Sequence, residues 1–175
     1  MSASRILLRR APRLQTQTRR LLARSLNTDT APVLYTAHAT VHGARNGHVK
    51  GSEGLNLDLV MPKQLGGKGG QGKTNPEELF AACYGSCFQA AMNLSAKQLG
   101  ISMPPSSEDS VIETSLHMVG NLDELDLGVK VDMLIKVRGV SRADMDKLVE
   151  KTREVCPYSR ATKGNVTTNI KIEIM

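Results

Sequence analysis

Three cysteines, one arginine and one glutamate carry the chemistry this sequence can offer. Cys87 lies in the run Ala82-Cys83-Tyr84-Gly85-Ser86-Cys87-Phe88, and Cys156 in Val155-Cys156-Pro157-Tyr158-Ser159. Two thiols on elements that pack together could form a peroxidatic and resolving pair. One thiolate attacks an oxidant and becomes a sulfenic acid; a second thiol condenses with it to a disulfide. A cysteine inside a helix equally serves as a small packing hydrophobe, so residue type alone leaves both readings open. An ordinary cysteine titrates near pH ~8.5, so a reactive one needs help. Arg45 is the candidate, a lone arginine in the glycine-framed turn Gly43-Ala44-Arg45-Asn46-Gly47. A fixed guanidinium beside sulfur stabilises the anion and can hydrogen-bond a peroxide oxygen. Glu77 could orient that guanidinium through a bidentate pair. The plainer readings are a solvated turn arginine and a first-turn acid complementing a helix dipole.

Spacing restricts the alternatives. Glu77 and Cys87 are ten residues apart on one expected helix, which is ~15 Å along its axis. Either that helix bends near Gly85, or the site is wide and bridged by Arg45, or Glu77 serves a second subunit. Cys83 and Cys87 share a helix face. They could hold a metal with His38 or His42, but no tight ligand spacing supports one, and no metal is expected. An intrahelical disulfide is disfavoured because the two Cβ vectors run parallel. Gly67 to Thr74 matches the phosphate-loop pattern GxxxxGK[ST], yet Pro76, Glu77 and Glu78 follow at once and no parallel strand is expected before it. A nucleotide site is the minor alternative there.

The elements that must position these residues are legible in outline. Val33–Val41 is β-branched and partly alternating and reads as a strand. Leu55–Met61 alternates and reads as a half-buried strand ended by Pro62. The glycine-rich run 66–72 is a mobile or tightly turning loop. Thr74 or Asn75 caps a helix with Pro76 at its first position and Gly100 just past its end. That helix is apolar or small around most of its circumference, the pattern of a buried central helix. Val111–Val119 and Leu127–Val137 read as strands around a turn. Ser141 caps a second helix, with Met145, Leu148, Val149 and Val155 on one side, which Cys156-Pro157 stops. Val166–Ile174 is the last strand. The order βββ-α-ββ-α-β indicates an α+β domain, not a parallel α/β sheet.

Charge separates a leader from a body. The net charge of +6 resides wholly in residues 1–30, which hold seven arginines and a single acid, Asp29. The remaining residues are neutral overall, so no positive field attracts phosphates. With 3% aromatic residues and no tryptophan, stacking platforms for bases are also lacking. No nucleic acid is expected as a partner. No apolar run approaches the ~20 residues of a membrane span. An arginine-rich, acid-poor amphipathic stretch reads as a mitochondrial transit peptide. Residues 1–30 are therefore expected to be cleaved, somewhere in Arg24–Asp29. Residues 31–175 are expected to form one domain in the matrix, where structural disulfides are disfavoured.

The segments LYTAHATVHGARNG (34–47), LGGKGGQGKTNPEELFAACYGSCF (65–88) and VCPYSRATKGN (155–165) make the chain resemble the organic hydroperoxide resistance branch of the Ohr/OsmC family across residues 33–175. The resemblance implies a thiol-dependent peroxidase that reduces organic and fatty-acid hydroperoxides to alcohols without metal, haem or flavin. It implies Cys87 as peroxidatic cysteine, Cys156 as resolving cysteine, Arg45 as thiolate activator and Glu77 as the acid holding Arg45. It further implies an intertwined α+β homodimer with interfacial sites, re-reduced by a dihydrolipoyl group on a lipoylated protein. Three positions depart from the family pattern: Cys83 where glycine is usual, Asn46 for aspartate and Lys163 for arginine. Two other classes stay open on the same residues: a non-enzymatic thiol redox sensor, and an OsmC-like cysteine hydrolase or binding protein.

Overall fold

The structure, a computed structural model, describes residues 26–70 and 72–175. The described residues divide between Thr36 and Ala37 into two units, the second being Ala37–Met175. Most of the expected transit peptide, and the start of its cleavage window, lie outside the described residues. In the part that is described, the Asn27 carbonyl accepts the Ala31 N–H at 3.0 Å, closing a turn.

The second unit begins with a small antiparallel sheet in chain order: β1 (Ala39–His42), β2 (His48–Gly51) and β3 (Asn56–Asp58). Val41, Val49 and Leu57 stand in register across it. The expected strand over 33–41 is corrected: pairing starts only at Ala39, and Val33, Leu34 and Tyr35 are exposed. The ladder ends there because β2 turns away at Gly51, whose N–H goes to the Leu55 carbonyl at 2.8 Å. β-branched residues without a partner strand have no ladder to join. The expected half-buried strand Leu55–Met61 is also shorter. β3 is exposed throughout, and only Leu59 beyond it is buried. Gly43 opens the β1–β2 turn at φ +70°, and a Cβ on Gly47 would overlap the His42 carbonyl. Glycine at both ends lets a short 3-10 turn, Ala44–Asn46, form between the two strands and carry Arg45.

The glycine-rich segment turns tightly. Gly66, Gly67 and Gly69 donate to the carbonyls of Lys63, Pro62 and Met61, and Val60 and Thr74 close its base at 2.9 Å. It follows a short 3-10 turn, not a parallel strand, and the Thr74 hydroxyl donates to Glu78 at 2.8 Å. It is not built as a phosphate loop.

Helix α1 (Pro76–Leu99) has the expected signals at both ends. The Asn75 side chain accepts the Glu78 N–H at 2.9 Å, Pro76 opens the first turn, and Gly100 closes at φ +68°. The helix packs as the central element of the fold, with one face covered by its own chain. Tyr84, Phe88, Met92 and Ala96 are buried, but Ala82, Cys83, Ser86, Ala90 and Leu94 on the other side are exposed. A single chain covers only one face of this helix. The helix also runs uninterrupted through Gly85.

A second sheet covers that one face. β4 (Ser110–Asn121) and β5 (Asp126–Val137) form a long antiparallel hairpin, and β6 (Thr168–Ile174) lies parallel to β5. Helices α2 (Arg142–Val155) and α3 (Pro157–Thr162) make the crossover between β5 and β6. Val131, Met133, Ile135 and Val137, alternate residues of β5, meet Phe88 and Met92 of α1 and Met145 and Leu148 of α2 in one core. Each such side chain contributes about 1.5–3 kcal/mol by leaving water. Gly85 faces Thr114 of β4, where an added Cβ would come within 2.6 Å of Oγ1; its absence sets the close approach of helix to sheet. On α2 the inward row is Met145, Leu148, Val149 and Thr152, while Val155, expected inward, is partly exposed. The i, i+3, i+4, i+7 spacing favours Thr152, which satisfies its hydroxyl by donating to the Leu148 carbonyl at 2.7 Å. The α+β class and the order of elements agree with the sequence, with α3 as an addition. Among the described residues no helix is long and apolar enough to cross a membrane.

Candidate active site

The five candidate side chains fall into two groups on α1. The first lies at its N-terminal turn. Arg45 reaches from the β1–β2 turn and grips Glu77 through two parallel hydrogen bonds: Nη1 donates to Oε2 at 2.8 Å and Nη2 to Oε1 at 2.6 Å. The Arg45 and Glu77 side chains are 31% and 16% exposed, so the pair is only partly screened by water. Hydrogen bonding to the guanidinium holds the Glu77 carboxyl below its ordinary range, and the carboxylate raises Arg45 in turn. Asn46 anchors the same turn by accepting the Met61 N–H at 3.0 Å.

The second group lies mid-helix. Cys87 is half-buried on α1, and Cys156 is fully buried where α2 meets α3. The Cys156 thiol donates to the Cys87 sulfur, with the two sulfurs 3.8 Å apart. Cys156 closes α2, its N–H going to the Thr152 carbonyl at 2.9 Å, and at the same time precedes α3 in extended conformation. Pro157 has no N–H to offer, so the first free donor of α3 is the N–H of Tyr158. Burial pushes the Cys87 thiol above its ordinary value. The Tyr158 N–H pulls the other way, while the neighbouring Cys156 and Cys83 thiols add to the rise. The Arg45 guanidinium is not among the groups acting on Cys87.

Sequence reasoning thus picked out pairs that the fold forms, Arg45 with Glu77 and Cys87 with Cys156. Within one chain the two pairs stand apart by about ten residues of helix, ~15 Å. Cys83 is exposed one turn before Cys87. Among the described residues no three His, Cys, Asp or Glu side chains cluster to hold a metal ion. The sequence reading overlooked α3 and Tyr84. A proline directly after a residue that stops one helix is also a first-position signal for the next, and that would have revealed α3. Tyr84 is buried, stacks on Tyr158 with ring centroids 6.1 Å apart, and donates from its hydroxyl to Ser159 Oγ at 3.1 Å. Nothing in local sequence marks it out from other core aromatics.

This geometry suits thiol redox chemistry. Two sulfurs already in contact can join with a shift of roughly 1.8 Å, since a disulfide is about 2.05 Å long.

The family model described as OsmC-like protein matches residues 67–171. The chain is 40% identical over 143 residues to the organic hydroperoxide resistance protein of Xanthomonas axonopodis pv. citri, covering 80% of this chain and 95% of that one. It is 40% identical over 144 residues to organic hydroperoxide resistance protein OhrB of Bacillus subtilis, covering 81% and 98%. Among solved structures, an organic hydroperoxide resistance protein OsmC from Legionella pneumophila superposes with a TM-score of 0.73 at 39% identity, covering 81% of this chain and 99% of that one.

Proposed function

The chain belongs to the OsmC-like family, on its organic hydroperoxide resistance branch, and from that membership and the thiol geometry we propose a cysteine-based peroxidase that reduces organic hydroperoxides, fatty-acid hydroperoxides among them, to alcohols. The observation that carries this reading is the 3.8 Å contact between Cys87 and Cys156. The Cys87 thiolate attacks the outer peroxide oxygen; the O–O bond breaks, and the alkoxide leaves and takes a proton as the alcohol. Cys87 is then a sulfenic acid. The Cys156 thiol attacks that sulfur, the S–S bond forms, and the hydroxyl leaves as water. An external dithiol returns both cysteines to thiols and is itself oxidised to a disulfide. A dihydrolipoyl group on a lipoylated protein is the proposed reductant. With a mitochondrial leader, enzyme and reductant would share the matrix.

The state of Cys87 supports a second copy of the chain as partner. In one chain burial raises its thiol, the wrong direction for a nucleophile at neutral pH. The bidentate Arg45–Glu77 pair is assembled but remote, and the face of α1 bearing Cys83, Ser86 and Ala90 is uncovered. A homodimer that packs this face and brings the partner's Arg45 toward Cys87 satisfies all three at once. A preorganised guanidinium there stabilises the thiolate and the departing oxygen.

The test is consumption of tert-butyl hydroperoxide by the purified protein, with dihydrolipoamide or glutathione as donor and Cys87→Ser as control. Catalytic turnover with dihydrolipoamide that vanishes in Cys87→Ser is expected. A single stoichiometric oxidation without turnover would instead indicate a redox sensor. Activity independent of a reductant and retained in Cys156→Ser would indicate a hydrolase or binding role.

A further inference from the structure

The short helix α3 performs two tasks at Cys87: its capping residue Cys156 holds a sulfur 3.8 Å from that of Cys87, and backbone hydrogen bonding from its Tyr158 lowers the Cys87 thiol against the effect of burial. Six residues cannot hold themselves helical in water, so something must pin α3 against α1. The contacts converge on one side chain. Tyr84 lies three residues before Cys87 on α1 and is 1% exposed. Its ring stacks on Tyr158 and meets Phe80 edge-on at 6.1 Å. Its hydroxyl donates to Ser159 Oγ at 3.1 Å and lies 3.4 Å from Thr162 Oγ1. Thr162 in turn donates to the Tyr158 carbonyl at 2.8 Å, closing the helix on itself. One buried phenol thereby holds the first and last turns of α3.

We propose that Tyr84 is a positioning residue that acts through α3, setting the approach of Cys156 to Cys87 and holding the Tyr158 backbone in place at the start of the helix. The side-chain hydrogen bonds of Tyr84 run to Ser159 and Thr162 of α3, not to either sulfur. The consequence rests on the thiol-peroxidase reading for its biological meaning, but the mechanics are separable from it. With α3 loosened, the Cys87 sulfenic acid waits longer for Cys156, and the Cys87 thiolate loses a donor. The groups whose charge reaches Cys87 are Cys83 on its own helix and Cys156 at the head of α3, and Cys87 in turn acts on the Tyr158 phenol. Removing the Tyr84 hydroxyl takes away none of these groups and adds no charge, so it acts on Cys87 only through their placement.

The experiment compares the full chain with Tyr84→Phe, which keeps the ring and its stacking. Disulfide closure is followed after a diamide pulse and, separately, after a hydroperoxide pulse with dimedone present to trap sulfenic acid. The pH midpoint of Cys87 alkylation is measured in a Cys156→Ser background. Loss of one buried hydrogen bond predicts closure about three- to tenfold slower, a larger dimedone-trapped fraction and a higher alkylation midpoint. Ser159→Ala removes the same bond from the α3 side and should reproduce the effect, which covers the case of a poorly folding Tyr84→Phe. A lowered melting temperature with closure rate and alkylation midpoint unchanged in both variants would reduce Tyr84 to a packing residue and overturn the proposal. If hydroperoxide fails to oxidise Cys87 even in the parent chain, the peroxidase reading falls. The diamide and alkylation measurements still decide the role of Tyr84.

Discussion

Oxidation by one equivalent of hydroperoxide should raise the thermal stability of this protein by an amount that the chain topology sets. Cys87 and Cys156 are 69 residues apart in sequence and 3.8 Å apart at sulfur. Joining them closes a loop of about 70 residues in the unfolded chain. The chain-entropy relation puts the stabilisation at about 4 kcal/mol at 25 °C, less any strain in the bonded native state. Unfolding a body of about 140 residues, Ala37–Met175, carries an entropy of roughly 0.29 kcal/mol/K. Each kcal/mol is then worth about 3.4 °C, and the oxidised protein should melt roughly 10–15 °C above the reduced one. Calorimetry of the two forms at one protein concentration measures the difference; the concentration must match because dimerisation would also move the midpoint. Cys156→Ser should show no such rise, and peptide mapping should place the bond between Cys87 and Cys156. An oxidised form that melts at or below the reduced one would mean that the native packing resists the bond, and the 3.8 Å contact would not represent readiness to close. A disulfide mapped to Cys83 would refute the pairing outright.

Other perturbations test the remaining links. Glu77→Gln should cost about 1.5–3 kcal/mol, the usual worth of charge-assisted hydrogen bonds in a half-buried setting, seen as an earlier urea midpoint with the slope unchanged. Because the Glu77 carboxyl is held below its ordinary range, its stabilisation is complete above the unfolded value of about 4.3 and is lost as pH falls through the lower folded value. The difference between parent and Glu77→Gln should therefore be flat at neutral pH and shrink in acid; a difference that grows in acid contradicts the ion pair. Gly85→Ala gains about 1 kcal/mol of helix propensity but places a Cβ within 2.6 Å of Thr114 Oγ1, an overpacking worth about 1–3 kcal/mol. Net destabilisation is expected, relieved in the double variant with Thr114→Ala, and a stabilised single variant would show that the helix–sheet contact is slack. Asn75→Ala removes the cap that accepts the Glu78 N–H and should cost about 1 kcal/mol, with the loss readable in chemical denaturation.

Much of this protein follows from its sequence because the relevant interactions are local. The cap at Asn75, Pro76 at the first position and Gly100 at the end bound α1 by satisfying or omitting backbone groups within a few residues. The alternation along β5 dictates which side chains enter the core, whatever they meet there. The glycines flanking Arg45 allow a tight turn that a side chain at either position would oppose. Where partners are distant, the sequence was silent or misleading. Val33–Tyr35 carry β-formers, yet the strand begins at Ala39, since a strand exists only as far as its neighbour accompanies it. The low-contrast pattern of α1 could not tell a helix buried on all sides from one with an uncovered face, because that depends on what packs against it. Cys87 and Cys156 could be named from their residue types, but not their 3.8 Å contact, which depends on α2 ending at Cys156 and α3 turning back on Tyr84. Local propensity determined the elements and the short-range turns. Tertiary packing alone decided which buried hydroxyl meets which helix, and that the Cys87 thiol, raised by burial, faces a second sulfur, with the guanidinium bound elsewhere on the same helix. Such contacts join residues tens of positions apart, at distances that only the closed core sets.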